Sequence, residues 1–173
     1  MMFVDGENLA IRYAARLAGT EPQRHVVFEP NIYVWSTFAN ADRHSACEVV
    51  RRHYYTAVQG DDNKLVSVAE ALKAVGIEAP RVFKKAKGRP SKRVDIQLST
   101  EMLGHAHRGN YDLAILVAGD EDYVPLVEAV QREGKRVVLW FLSEGLSSAL
   151  VRAADHAYDL AQILFKADTQ IVR

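Results

Sequence analysis

Four aspartates, Asp5, Asp95, Asp120 and Asp122, stand where an alternating pattern of strands and helices passes from one element to the next. Asp5, with Asn8, follows the apolar run Met2-Phe3-Val4. Asp95 opens a pattern of helical spacing through Ile96, Leu98, Met102 and Leu103. Asp120 and Asp122 follow the run Leu113-Ala114-Ile115-Leu116-Val117 and the turn residue Gly119. Several carboxylates in one cleft repel one another unless a cation neutralises them. Carboxylates, an amide and waters form the hard oxygen set that Mg²⁺ or Mn²⁺ prefers. Such a site activates water and steadies the charge of an in-line phosphoryl displacement. Capping is the plainer role, since Asp5, Asn8 and Asp120 all suit a helix start. One acid suffices for a cap, so Asp120 together with Asp122 asks for more.

The elements that must hold these acids follow from periodicity. Leu113 to Val117 is apolar on both faces, the mark of a buried parallel strand, and Gly119 marks a tight turn into a helix from Val124 to Arg132. Met2-Phe3-Val4 reads as a first strand, with Leu9, Ile11, Ala14 and Leu17 giving the helix after it. Arg51 to Val58 reads as a strand, and a helix starting at Asp61-Asp62-Asn63 carries Leu65, Val68, Leu72 and Val75 to a stop at Gly76. Ile77 to Phe83 leads into another strand, Arg136 to Phe141 forms one more, and Ser147 or Ser148 starts a short helix. Ala157 to Leu160 is a last short strand or turn. Alternation over the whole length predicts a three-layer α/β sandwich with a mainly parallel sheet in a single domain spanning residues 1–173. In such a sheet ligands sit beyond the carboxyl ends of the strands, where these acids fall.

Residues Gly19 to Ala41 leave alternatives open. Val26-Val27-Phe28 and Ile32 to Trp35 read as two strands, or the second opens a helix through Phe38. The insert reads as a lid over the cleft or as an oligomer contact. Tyr33, Trp35 and Phe38 are expected at the surface, which makes a homodimer an expectation.

The most basic stretch runs from Lys84 to Arg93 and contains Lys84, Lys85, Lys87, Arg89, Lys92 and Arg93. Its Gly and Pro read as a loop, either solvated or gripping a phosphate backbone, and it leads straight into Val94-Asp95. Over the chain 22 basic and 22 acidic residues cancel, so net charge favours no partner. One cysteine, Cys47, excludes an internal disulfide and a cysteine-based zinc site. No stretch approaches the roughly 18 apolar residues of a membrane span, and an acid at position 5 comes too early for a secretion signal. A cytoplasmic protein with no membrane partner is expected.

Acid cluster and basic loop together point to a metal-dependent nuclease. The runs Phe3-Val4-Asp5-Gly6-Glu7-Asn8, Val94-Asp95-Ile96-Gln97-Leu98 and Ala118-Gly119-Asp120-Glu121-Asp122-Tyr123-Val124-Pro125, continued by Gly134-Lys135-Arg136-Val137, resemble the NYN domain family, a PIN-like group that includes the LabA/DUF88 proteins. The resemblance implies a PIN-like (Rossmann-like) fold, an Mg²⁺ or Mn²⁺ site and ribonuclease activity on RNA, here expected to be single-stranded. By residue it implies Asp5, Asp95, Asp120 and Asp122 as catalytic metal ligands, with Asn8 supporting. Glu101 stands where the family often has Asp, but lies six positions after Asp95 and so off its helical face unless the site wraps round the helix end. His105 and His107, near that helix's end, are read as carbonyl caps or solvated groups. The family usually has Ser at the position of Ala118 and Phe at that of Tyr123. Losing the Ser hydroxyl removes one hydrogen-bonding group near the site and leaves the acids intact. Two other classes compete with the nuclease. One is a non-catalytic RNA-binding or regulatory module on the same fold. The other is a small-molecule phosphohydrolase, disfavoured because no Gly-rich phosphate cradle appears and Glu7 stands two positions after Asp5, where a haloacid-dehalogenase phosphatase carries Asp.

Overall fold

Strand β1 (Met2–Asp5) is buried at every position because it lies at the centre of the main sheet. The computed structural model describes residues 1–40, 48–85 and 92–166. Cys47, Lys87 and Arg89 fall outside the described residues, as does the side chain of Lys92. After β1 come α1 (Gly6–Leu17), β2 (Val26–Glu29), β3 (Tyr33–Ser36), β4 (Arg52–Val58), α2 (Asp62–Ala74), β5 (Ala79–Lys84) and α3 (Lys92–His107). The second half runs β6 (Leu113–Val117), α4 (Val124–Arg132), β7 (Arg136–Phe141), α5 (Ser148–Ala153), β8 (His156–Asp159) and α6 (Ala161–Leu164). Six strands form one parallel sheet in the order β5-β4-β1-β6-β7-β8. The chain winds outward from β1 to β5, then returns to β1's other side with β6. The strand order therefore reverses between β1 and β6, and a crevice opens there beyond their carboxyl ends.

The two-residue period of a strand divides the core. Met2 and Val4 join Leu9, Tyr13, Tyr54, Val68 and Leu72 under α1 and α2. Phe3 joins Tyr55, Leu98, Met102, Leu116, Val127 and Leu139 under α3, α4 and α5. Fully burying side chains such as Leu98 and Met102 stabilises the fold by roughly 1.5–3 kcal/mol each. Asp5 has the parity of Phe3, so its carboxylate is delivered to the α3–α4 side.

The insert resolves into an antiparallel hairpin, β2 with β3. It turns at Pro30-Asn31, where Asn31 takes a positive φ of 59° and the Ile32 N–H donates to the Glu29 carbonyl at 3.1 Å. The hairpin packs on α1 and β4. The Val34 N–H donates to the Tyr54 hydroxyl at 3.1 Å, and that hydroxyl donates to the Val34 carbonyl at 3.0 Å. Trp35, expected at the surface, is only 1% exposed. Its ring meets Tyr54 edge-on and its indole N–H donates to Asn40. Filling the space between hairpin and β4 takes the indole inside, and of the three aromatics Phe38 alone is exposed. The basic stretch is not loop at its two ends: Lys84 ends β5, and α3 begins at Lys92, so Asp95 lies within the first turn of α3 and does not open it.

Candidate active site

The Asp5 carboxylate does two things at once. Oδ1 accepts the Asn8 N–H at 3.0 Å, capping α1, while Oδ2 accepts the Tyr123 hydroxyl at 2.9 Å. The same hydroxyl lies 3.2 Å from Asp95 Oδ1. Tyr123 ends a 3-10 turn, Glu121–Tyr123, that follows β6 and leads into α4. Asp120 caps this turn by accepting the Asp122 N–H at 3.3 Å, and Pro125 fits the first turn of α4, where no backbone N–H is needed. Three chain segments thus meet at the reversal of strand order: the end of β1, the start of α3 and the turn after β6.

These acids feel one another. Burial pushes the Asp5 carboxyl up to about 7, with Asp95 and Glu7 adding to the rise against the Asn8 and Tyr123 hydrogen bonds. Asp95 is raised as well, by partial desolvation first and then by Asp120, Glu7 and Asp122, against the Tyr123 hydrogen bond. The Tyr123 hydroxyl is held protonated by burial and by both carboxylates. Asp120 and Asp122 face solvent. Among the described residues, no three acidic, His or Cys side chains stand at metal-ligating spacing. The converged pair is Asp5 with Asp95, and the other two acids contribute field. Two carboxylates with open solvent beside them match the way Mg²⁺ is bound, through one or two carboxylates, retained waters and substrate phosphate. The donor set therefore fits a hard divalent cation.

Glu101 is placed elsewhere. It accepts the Tyr55 hydroxyl at 2.7 Å, Arg81 at 3.1 Å and Gln97 at 2.8 Å. Burial raises its carboxyl, and these partners outweigh burial and leave it below the usual range. His105 and His107 take Asn110 and Glu133 as neighbours, away from the acids. Of the basic residues, Lys85 pairs with Glu7, Lys84 lies 4.0 Å from Asp62, and Arg93 stacks on the Phe83 ring.

Three groups join the site that the motifs did not single out. Glu7 extends the acidic field from the first turn of α1. Arg12, one helical turn beyond Asn8, donates its Nε–H to Asn8 Oδ1 at 2.7 Å and also donates to the Glu144 carbonyl. Its guanidinium lies against Gly119, within the field of Asp120 and Asp5. The i, i+4 spacing of Asn8 and Arg12 was the available signal. The third is the Tyr123 hydroxyl, whose signal was the departure from the family's Phe.

The sequence matches the NYN domain family over residues 1–161. The chain belongs to that family. NYN domains are generally nucleases of the PIN-like superfamily, and such nucleases usually use divalent metals. Among solved structures, a protein of unknown function from Vibrio parahaemolyticus, VPA0982, superposes with a TM-score of 0.66 at 23% identity, covering 95% of this chain and 94% of its own. That likeness concerns the fold. The comparison with curated proteins finds no match. No helix among the described residues is long and apolar enough to cross a membrane.

Proposed function

We propose that this NYN domain is a divalent-metal-dependent ribonuclease. The observation that carries the reading is the convergence of Asp5 and Asp95, raised acids from distant segments, at the reversal of strand order within the field of Asp120 and Asp122. Mg²⁺ or Mn²⁺ bound there supplies charge neutralisation and an activated water for phosphodiester hydrolysis. Asp5 and Asp95 would hold the cation directly. Asp120 and Asp122, open to solvent, would orient its waters or complete its shell. Asn8 fixes Asp5 through its backbone N–H and Arg12 through its side chain. Arg12 would face a substrate phosphate from the α1 side. The basic stretch begins at Lys84 and Lys85, the latter tied to Glu7, and ends at Arg93. Lys87, Arg89 and Lys92, from the same basic stretch of sequence, are proposed as further phosphate contacts. A basic stretch leading into the acid site suits an extended polyanion better than a small phosphate ester.

The test is cleavage of end-labelled single-stranded RNA by wild-type protein and Asp120→Ala, each with Mg²⁺, Mn²⁺ or EDTA. Asp120 is exposed and its capping bond is long, so the variant should fold and lose cleavage by about two orders of magnitude or more. A folded variant that cuts at the wild-type rate refutes the assignment. RNA retention that falls steeply with salt, without turnover, would favour a binding module.

A further inference from the structure

Tyr123 is 2% exposed, yet its hydroxyl reaches the rim of the acid site and touches an oxygen of two acids at once. The acids come from segments 118 and 28 residues away in sequence. Asp5 is fixed on its other oxygen by the cap of α1, whereas Asp95 sits exposed on the first turn of α3. Two acids drawn together repel one another when both are ionised, and the phenolic proton lies between them. The single phenolic proton is shared between the two carboxylate oxygens, and each oxygen keeps a lone pair for another ligand. The ring belongs to the buried core cluster that includes Leu126, Val127 and Leu150, so the core helps to place the hydroxyl.

We propose that Tyr123 is a positioning residue for the metal: its hydroxyl holds Asp5 and Asp95 converged before the cation arrives, and so sets how tightly the cation binds. This rests on the metal reading above and adds a determinant of affinity to it. Without the hydroxyl, Asp95 swings toward solvent and the cation must gather the acids itself, at an entropic cost.

The test is calorimetric titration of the full chain with Mn²⁺ alone, for wild type, Tyr123→Phe, Asp95→Asn and the double variant. Phe keeps the ring and its packing. Tyr123→Phe should weaken Mn²⁺ binding roughly ten-fold, as befits one hydrogen bond to a charged group. In the Asp95→Asn background the same change should have much less effect, because the partner is already altered. The KM for RNA should not move, a split that general loss of structure would not produce. Equal or tighter Mn²⁺ binding by folded Tyr123→Phe overturns the proposal and leaves the nuclease reading standing. A wild-type chain that binds no Mn²⁺ overturns both. Should Tyr123→Phe not fold, ring-labelled tyrosine NMR of wild type under Mg²⁺ titration decides instead. A tyrosine resonance that shifts saturably supports the role, and none that shifts refutes it.

Discussion

Asp5 combines structural and chemical duties that pull in opposite directions. Its carboxyl is raised to about 7 from an ordinary 3.8, chiefly by burial. Between those pH values the folded chain therefore holds a proton that the unfolded chain has released. The favourable contribution is complete below pH 4 and is lost as pH rises through about 7. In EDTA, stability should fall over that window by an amount on the order of 4 kcal/mol from this residue. Asp5→Asn, still a competent cap, should remove most of the slope and be more stable than wild type at pH 8. Urea denaturation of both proteins across the window checks this, and parallel pH profiles would count against it. Mn²⁺ should restore wild type at pH 8 and leave Asp5→Asn unchanged. The same residue shows what the sequence could convey. A cap and a ligand were both legible at Asp5, and the Tyr at position 123 stood out from the family's Phe, but the contact joining its hydroxyl to Asp5 and Asp95 was not legible. The distance between positions 5, 95 and 123 is closed only by the topology.

At the level of elements, two glycines show how the backbone was shaped around the site. A Cβ at Gly6 would collide with the ring of Tyr54, which is buried and pinned by its hydrogen bonds to Val34. A Cβ at Gly119 would come within 2.6 Å of Arg12 Cζ, the far end of a flexible side chain. The two should respond differently to Ala. Gly6→Ala should cost about 1–3 kcal/mol, as overpacking against a fixed ring does. Gly119→Ala should cost under about 1 kcal/mol while moving Arg12 off its seat and slowing RNA cleavage. Urea midpoints beside cleavage rates test the pair; if Gly119→Ala keeps full activity, Arg12's place beside the acids is immaterial. Boundaries were legible where periodicity and punctuation agreed, as for α4 and β7, whose spans matched expectation residue for residue. At the hairpin the reading stayed open between two strands and a helix, and the two strands are what forms, each end within one residue of expectation. Its four-residue strands are too short for a period of two to be told from a helical one, and Pro30-Asn31 was the unread turn signal. Trp35 was misplaced for a related reason, since an aromatic is assigned to core or surface only once the covering element is known.

For the whole molecule, the sheet order explains why these acids are neighbours. β1 lies between β4 and β6, so the ends of the first and central strands open on one crevice, and α3 returns the chain to it from β5. The acid motifs named the participants in order, and parity along β1 predicts which face Asp5 serves. Glu101 shows the limit of reading by motif. Its off-face spacing from Asp95 argued against a shared site, and the fold gives it to Tyr55, Gln97 and Arg81. The central claim is hydrolysis of an RNA phosphodiester by water activated at this acid cluster. The most direct measurement is the chemistry of the ends left on a single-stranded RNA cut in Mg²⁺ or Mn²⁺, beside a substrate with deoxyribose at the cleaved position. Attack by water predicts hydrolysed ends, no 2′,3′-cyclic phosphate, and continued cleavage of the deoxy-substituted strand. Cyclic phosphate ends, or cleavage that persists in EDTA and needs the 2′-hydroxyl, would contradict the account.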